Sequence, residues 1–193
     1  MSPRRIIVGI SGSSGAIYGA RLVEVLAGLD GIETHLVITK GARATLSFET
    51  DYTVDQLVDW ADVVYDDSDV GAAIASGTYL NSGMVIAPCS IKTLSAVATS
   101  YDDTLISRAA DVCLKERRRL VLVVRETPLH IGHLRLMLAA SEAGAVVLPP
   151  SPGFYTRPST ILDLVDHTVT KVLDQFGIEA DLIERWKGLP DRG

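Results

Sequence analysis

The chain has 193 residues, with 18 Lys and Arg against 24 Asp and Glu, for a formal charge of −6. That balance argues against a nucleic-acid partner, and two cysteines, Cys89 and Cys113, are too few for a disulfide scaffold or a metal knuckle. Hydrophobic residues make up 47 % of the chain, yet no apolar run approaches the ~20 residues that cross a bilayer, so no membrane partner is expected and the surplus points to burial in an oligomer. From Met1 to Arg5 the sequence leads into a strand without the apolar core of a secretory signal, so a cytoplasmic protein with reduced thiols is expected. Ile6-Ile7-Val8 predicts the first strand, Gly9 to Ala16 (GISGSSGA) a tight loop, and Ile17 to Leu26 a helix. Glu33 to Thr39 reads as the second strand, Met84 to Ala87 as the third, Leu120 to Val124 as the fourth and Ala145 to Leu148 as the fifth. Helices are predicted over Ala42 to Phe48, Val54 to Trp60, Ser90 to Thr99, Thr104 to Leu114, Leu129 to Glu142 and Ser159 to Phe176. Gly28, Gly144 and Gly177 stand where helix-ending glycines fall. No repeat or linker interrupts the pattern, so residues 1–193 form one domain, with a helical tail expected from about residue 178.

Strands separated by helices imply an α/β protein built on a doubly wound parallel sheet, with ligands held beyond the carboxyl ends of the strands. Those ends are polar. The first carries Gly12, Ser13, Ser14 and Gly15, and the second Thr39 and Lys40. The third leads into Ser90-Ile91-Lys92-Thr93, the fourth into Arg125-Glu126-Thr127, and the fifth into Pro149 to Tyr155. Gly12 and Gly15 let backbone N–H groups approach a ligand, Ser11, Ser13 and Ser14 add hydroxyls, and the following helix adds its positive end. Such a junction suits a phosphate. The loop is not a Walker A motif, because no Lys follows its glycines, which recur every third residue at Gly9, Gly12 and Gly15. Each strand end also has a plain structural reading: helix caps for Ser14 and Ser90, and a mutual ion pair for Arg125 and Glu126. Jointly the ends favour a nucleotide-like ligand.

The strings GISGSSGAIYG, APCSIKTLS, RETPLHIGHLRLM and PPSPGFY resemble those of the UbiX-type flavin prenyltransferases, over about Arg5 to Trp186. The resemblance implies a flavodoxin-like Rossmann fold, a three-layer αβα sandwich, and a homododecamer with sites shared between subunits. It implies transfer of a dimethylallyl group from dimethylallyl monophosphate to N5 and C6 of reduced FMN. The product would be a prenylated FMN for a UbiD-type decarboxylase. Carried across by position, Gly12, Ser13, Ser14, Thr39, Ser90, Ile91, Lys92, Thr93 and Arg125 would meet FMN. Tyr155 and Lys171 would meet the prenyl phosphate, Arg108, Lys115 and Trp186 would belong to the wider substrate pocket, and Glu49, Glu126 and Ser14 would serve catalysis. Ser13 departs from a frequent Ala, and Lys171 stands where Arg is also found. The alternatives are an FMN-dependent cysteinyl decarboxylase of similar fold, whose loop carries Asn where this chain has Lys92, and a non-catalytic FMN subunit, which would leave Glu49, Lys115, Tyr155 and Trp186 unexplained.

The residue types suit the reaction. Ionising an allylic phosphate needs cations or donors at the leaving group, an electron-rich face for the carbocation and a proton acceptor for ring closure. No metal site is expected. Asp66-Asp67-Ser68-Asp69 reads as a solvated turn away from the strand ends, and His130 and His133, without a third ligand, as a helix start. Lys115 to Arg119 reads as a solvated helix end unless the resemblance promotes Lys115. Lys171 points away from the apolar stripe of its helix, which makes sense if that face lines a site between subunits.

Overall fold

The computed structural model describes residues 3–188. Six parallel strands form one sheet: β1 (Arg4–Ile10), β2 (Ile32–Ile38), β3 (Val63–Tyr65), β4 (Gly83–Cys89), β5 (Arg119–Val124) and β6 (Val146–Val147). Their order is β3-β2-β1-β4-β5-β6. The connections reverse direction between β1 and β4, and that switch point opens a crevice above the sheet. The helices are α1 (Ala16–Ala27), α2 (Lys40–Glu49), α3 (Val54–Trp60), α4 (Ile91–Thr99), α5 (Leu105–Lys115), α6 (Ile131–Glu142) and α7 (Ile161–Asp174). The result is the expected flavodoxin-like α/β sandwich.

Period-two alternation in buried strands divides the core in two. Ile6, Val8 and Ile10 of β1 face one side, with Leu36, Val85 and Val121, and pack against α1, α3 and α7. Ile7, Val37, Met84, Ile86 and Leu122 face the other side and pack against α4 and α5. Arg21 of α1 fastens the first layer by a two-pronged ion pair to Asp166 of α7, at 2.8 and 3.2 Å.

The differences from expectation are short or extended elements. β3 and a 3-10 turn at Ala73–Ala75 were not predicted. Three residues of β3 carry no readable period, and the strand exists because it completes the edge beside β2, with His35 opposite Val63. β4 runs past Pro88 to Cys89, with a register shift against β5 between Ile86 and Cys89, because proline has no N–H for the ladder. The expected helical tail is corrected: residues 178–188 contain no helix. Gly177 ends α7 at a positive φ of 61°. Beyond it Ile178, Ala180 and Leu182 meet the core at every second residue, a spacing for extended chain rather than helix.

Candidate active site

The amino ends of α2, α4 and α5 line the crevice beside the β1 loop, and α1 starts from the same loop. Gly15 begins α1 with φ +97°, a backbone state that only glycine adopts freely, and α1 has no side-chain cap. Its N–H instead donates to Glu49 Oε2 at 2.7 Å, so the carboxylate at the end of α2 sits against the positive end of α1. Gly12 lies against the next loop, where an added Cβ would come within 2.9 Å of Gly41 Cα. Thr39 caps α2 by accepting from Ala42 N–H at 3.1 Å. Ser90 caps α4 by accepting from Thr93 N–H at 3.3 Å, and its hydroxyl meets the Thr93 hydroxyl at 3.1 Å. Gly12, Thr39, Ser90, Lys92 and Thr93 together line a cavity of about 380 Å³. Of the expected FMN contacts, these five converge most directly.

Ser11 is the exception among the loop hydroxyls. It is buried, donates to Pro88 O at 2.8 Å and accepts from Ser90 N–H at 2.8 Å. Its role is to lock the loop after β1 to the loop after β4, and it has no donor left for a ligand. Ser13 Oγ is buried without a partner, while Ser14 is exposed. Ile91 opens α4 beside Ser90.

Arg125 leaves the end of β5 with its N–H donating to Cys89 O at 3.1 Å. Its side chain passes Gly15, with Cγ 3.9 Å from the position of a Cβ there, and lies near Tyr18. Burial pushes the Tyr18 hydroxyl above its usual range, and the Arg125 charge pulls it partly back. The Arg125–Glu126 ion pair, the plain structural alternative for these two residues, does not form among the described residues. Glu126 is exposed and accepts from Thr127 N–H at 3.0 Å, so Arg125 keeps a guanidinium free of carboxylates at the crevice.

The Asp66–Asp69 turn is a second correction. It begins at the carboxyl end of β3, beside the cavity, because β3 brings it there. Asp67 lines the cavity and caps α5, its carbonyl and Oδ1 accepting from Leu105 and Ile106 N–H at 2.8 and 3.0 Å. Burial raises its carboxyl above the usual range, against the pull of the Ile106 N–H and Lys92. Thr104 and Ser107 also line the cavity. The sequence places Thr104 at a helix start and Asp67 in a solvated turn. What it does not mark is their meeting, which depends on the three-residue edge strand β3 that leads to Asp67. His130 takes the helix-start role, capping α6 by accepting from Gly132 N–H at 2.9 Å.

The expected substrate-binding residues lie outside this cavity, in separate groups. Arg108 of α5 is held by Asp102 and Asp111 at 3.2 and 3.4 Å. Lys115 ends α5 at the amino ends of the strands, beside the start of β5 and opposite the crevice, and pairs with Glu116. Tyr155 and Trp186 are half-exposed and meet edge to face at 5.6 Å. Lys171 projects from α7 into a different cavity, walled by Leu148, Pro149 and Ser151. One chain therefore presents a polar crevice and, apart from it, Arg108, Lys115, the Tyr155–Trp186 pair and Lys171 in four separate places.

The flavoprotein family matches residues 1–170 of the chain. A flavin prenyltransferase UbiX from Thauera aromatica is 58 % identical over 188 residues, covering 97 % of this chain and 96 % of the relative. The crystal structure of AnUbiX (PadA1) in complex with FMN and dimethylallyl pyrophosphate is similar with a TM-score of 0.95 at 47 % identity, over 97 % of this chain and 100 % of that one. A dodecameric FMN-dependent UbiX-like decarboxylase from Escherichia coli O157:H7 has a TM-score of 0.93 at 45 % identity, over 95 % and 100 %. Fold, crevice and similarity over nearly the full length agree: the chain belongs to the flavoprotein family and, within it, to the UbiX-type flavin prenyltransferases.

Proposed function

We propose that this chain joins a dimethylallyl group, taken from dimethylallyl monophosphate, to reduced FMN, and that the prenylated flavin serves a UbiD-type decarboxylase. The observation that carries the reading is the crevice itself, lined by Gly12, two hydroxyl-capped helix starts and Lys92, with Glu49 held on Gly15 N–H at the far end of the loop that supplies Gly12. The amino ends of α2 and α4 suit the FMN phosphate, because Thr39, Ser90 and Thr93 bring hydroxyls to positive helix ends. The expected seat on the Gly12–Gly15 loop is less suitable, since the Glu49 carboxylate already occupies the Gly15 N–H. The flavin ring then extends toward Glu49, Ser14 and Arg125.

In the reaction the allylic C–O bond breaks, C1 of the dimethylallyl group bonds to flavin N5, and phosphate leaves. A second bond, from C3 of the dimethylallyl group to flavin C6, closes the ring. The C2=C3 double bond is broken as C2 takes up a proton, and C6 gives up its own, so no net proton is released in this step. The side chains supply what these steps need. Arg108, Lys115 and Lys171 are cations for the leaving phosphate. Tyr155 and Trp186 offer ring faces to the developing cation, at ~0.5–2 kcal/mol each. Glu49 and Glu126 are the candidate proton acceptors.

Within one chain those cations and rings stand apart from the crevice, so the working site is composite. The exposed apolar side chains of Phe48, Ile131, Leu138 and Phe154 support assembly with further copies of the chain, to a dodecamer as in the E. coli relative. The reaction is proposed to run without a divalent metal, the side-chain cations taking that role. Anaerobic incubation with reduced FMN and either dimethylallyl monophosphate or diphosphate, followed by mass spectrometry of the flavin, tests the reading. A mass gain of one dimethylallyl unit with the monophosphate is expected, unchanged by a chelator. Unmodified flavin with both donors overturns it.

A further inference from the structure

His167 and Lys171 lie one turn apart on the same face of α7, and both line a cavity of about 410 Å³ closed on its other side by Leu148, Pro149 and Ser151. Lys171 is loosely held there. Arg185 claims Asp174 at 2.8 and 3.2 Å, while Lys171 Nζ stands 3.7 Å from the same carboxylate. His167 has two neighbours. Its Nδ1 accepts from Gly153 N–H at 3.4 Å, which leaves the proton of the neutral ring on Nε2. Its ring meets Tyr155 edge to face, centroids 5.8 Å apart at 73°. Gly153 is pressed between the two. An added Cβ would lie 2.8 Å from His167 Nε2 and 2.9 Å from Tyr155 Cε1. The loop 149–155 is thus docked on α7 at the point where the loop delivers Tyr155.

We propose that His167 is a positioning residue for the prenyl-phosphate end of the site. By accepting from Gly153 N–H it holds the loop on α7 and sets the Tyr155 ring at a fixed place relative to Lys171. The proposal rests on the prenyl-transfer reading above. His167 acts through Tyr155 and takes no part in the bond changes.

Steady-state kinetics with reduced FMN test it in the wild type, His167→Leu and His167→Asn, alongside amide hydrogen exchange at Gly153. Leucine fills the space but accepts no hydrogen bond, whereas the asparagine oxygen falls near the place of Nδ1. His167→Leu should raise KM for dimethylallyl monophosphate roughly 3- to 10-fold, the scale of one lost hydrogen bond. FMN affinity should stay unchanged and Gly153 exchange should quicken, with His167→Asn restoring both. Gly153→Ala, which crowds the same contact from the loop side, should raise KM in the same direction and covers the case in which the leucine variant does not fold. Wild-type transfer with an unchanged KM in His167→Leu overturns this proposal alone, as does failure of asparagine to rescue or a parallel loss of FMN affinity. A wild-type chain that never alkylates FMN overturns the prenyl-transfer reading and this proposal with it.

Discussion

Glu49 illustrates how a single side chain gains a role from its surroundings. At the end of α2 it is an ordinary helix-end carboxylate, but the fold turns it onto the uncapped start of α1, 2.7 Å from Gly15 N–H. Glutamine keeps an oxygen for that hydrogen bond and removes the charge. Glu49→Gln is therefore expected to bind FMN as the wild type does and to form product ~10²–10⁴-fold more slowly, the range of a lost acid–base group. Stopped-flow absorbance and mass spectrometry of the flavin check this, including any build-up of flavin joined at N5 alone. Glu126→Gln should weaken use of the prenyl phosphate. If both variants close the ring at the normal rate, the released phosphate is the base. Gly15→Val is expected to abolish FMN binding, measured by flavin fluorescence, because a β-branched residue does not adopt φ +97° and the Glu49 contact goes with it. Arg125→Lys should lower FMN affinity on the order of tenfold, with turnover falling too, since a point charge replaces a planar fork beside Tyr18. At this scale the residue types were legible and their engagements were not. Ser11 and Ser13 read alike in the sequence, yet one is bonded at both ends and the other has a free hydroxyl.

The elements most legible in the sequence are those with a cap and a long apolar period. Thr39, Thr53, Ser90 and Thr160 each begin a helix whose side-chain cap is observed. α7 shows the consequence for pH. Asp163 accepts from Ser159 and Thr160 N–H at the helix start, and these bonds, with the Thr160 hydroxyl, hold its carboxyl down at about 2. The folded value lies below the ~3.9 of an unfolded Asp, so its stabilising effect is present above pH ~4 and is lost as pH falls toward 2. Thermal melts of the wild type and Asp163→Asn should differ at pH 5 and above and converge near pH 2. A constant difference across that range would mean that the carboxylate charge adds nothing to the cap. β3 lies at the other extreme. Three residues are long enough to extend a sheet edge but too short to declare a period, and missing β3 also hid Asp67, which that strand carries to the cavity.

At the scale of the molecule the outlying residues matter most. Lys115 stands at the amino ends of the strands, opposite the crevice, and Tyr155, Lys171 and Trp186 lie on the outer surface near the tail, so the chemistry proposed for them requires other copies. α6 presents Ile131, Leu134 and Leu138 along one exposed stripe, 62, 48 and 58 % accessible, an apolar surface of the kind that marks a protein contact. Light scattering is expected to show an oligomer, and Leu138→Glu a smaller species with reduced prenyl transfer. An active monomer would contradict the composite site. The sequence by itself determined the α/β class, most strand and helix positions, the polar strand ends and the family, because each rests on local period, caps and short motifs. Only the tertiary structure decided that Glu49 meets Gly15, that Ser11 faces inward, that Asp67 reaches the cavity and that residues 178–188 run extended. Those outcomes depend on contacts between segments tens of residues apart, which local pattern does not encode.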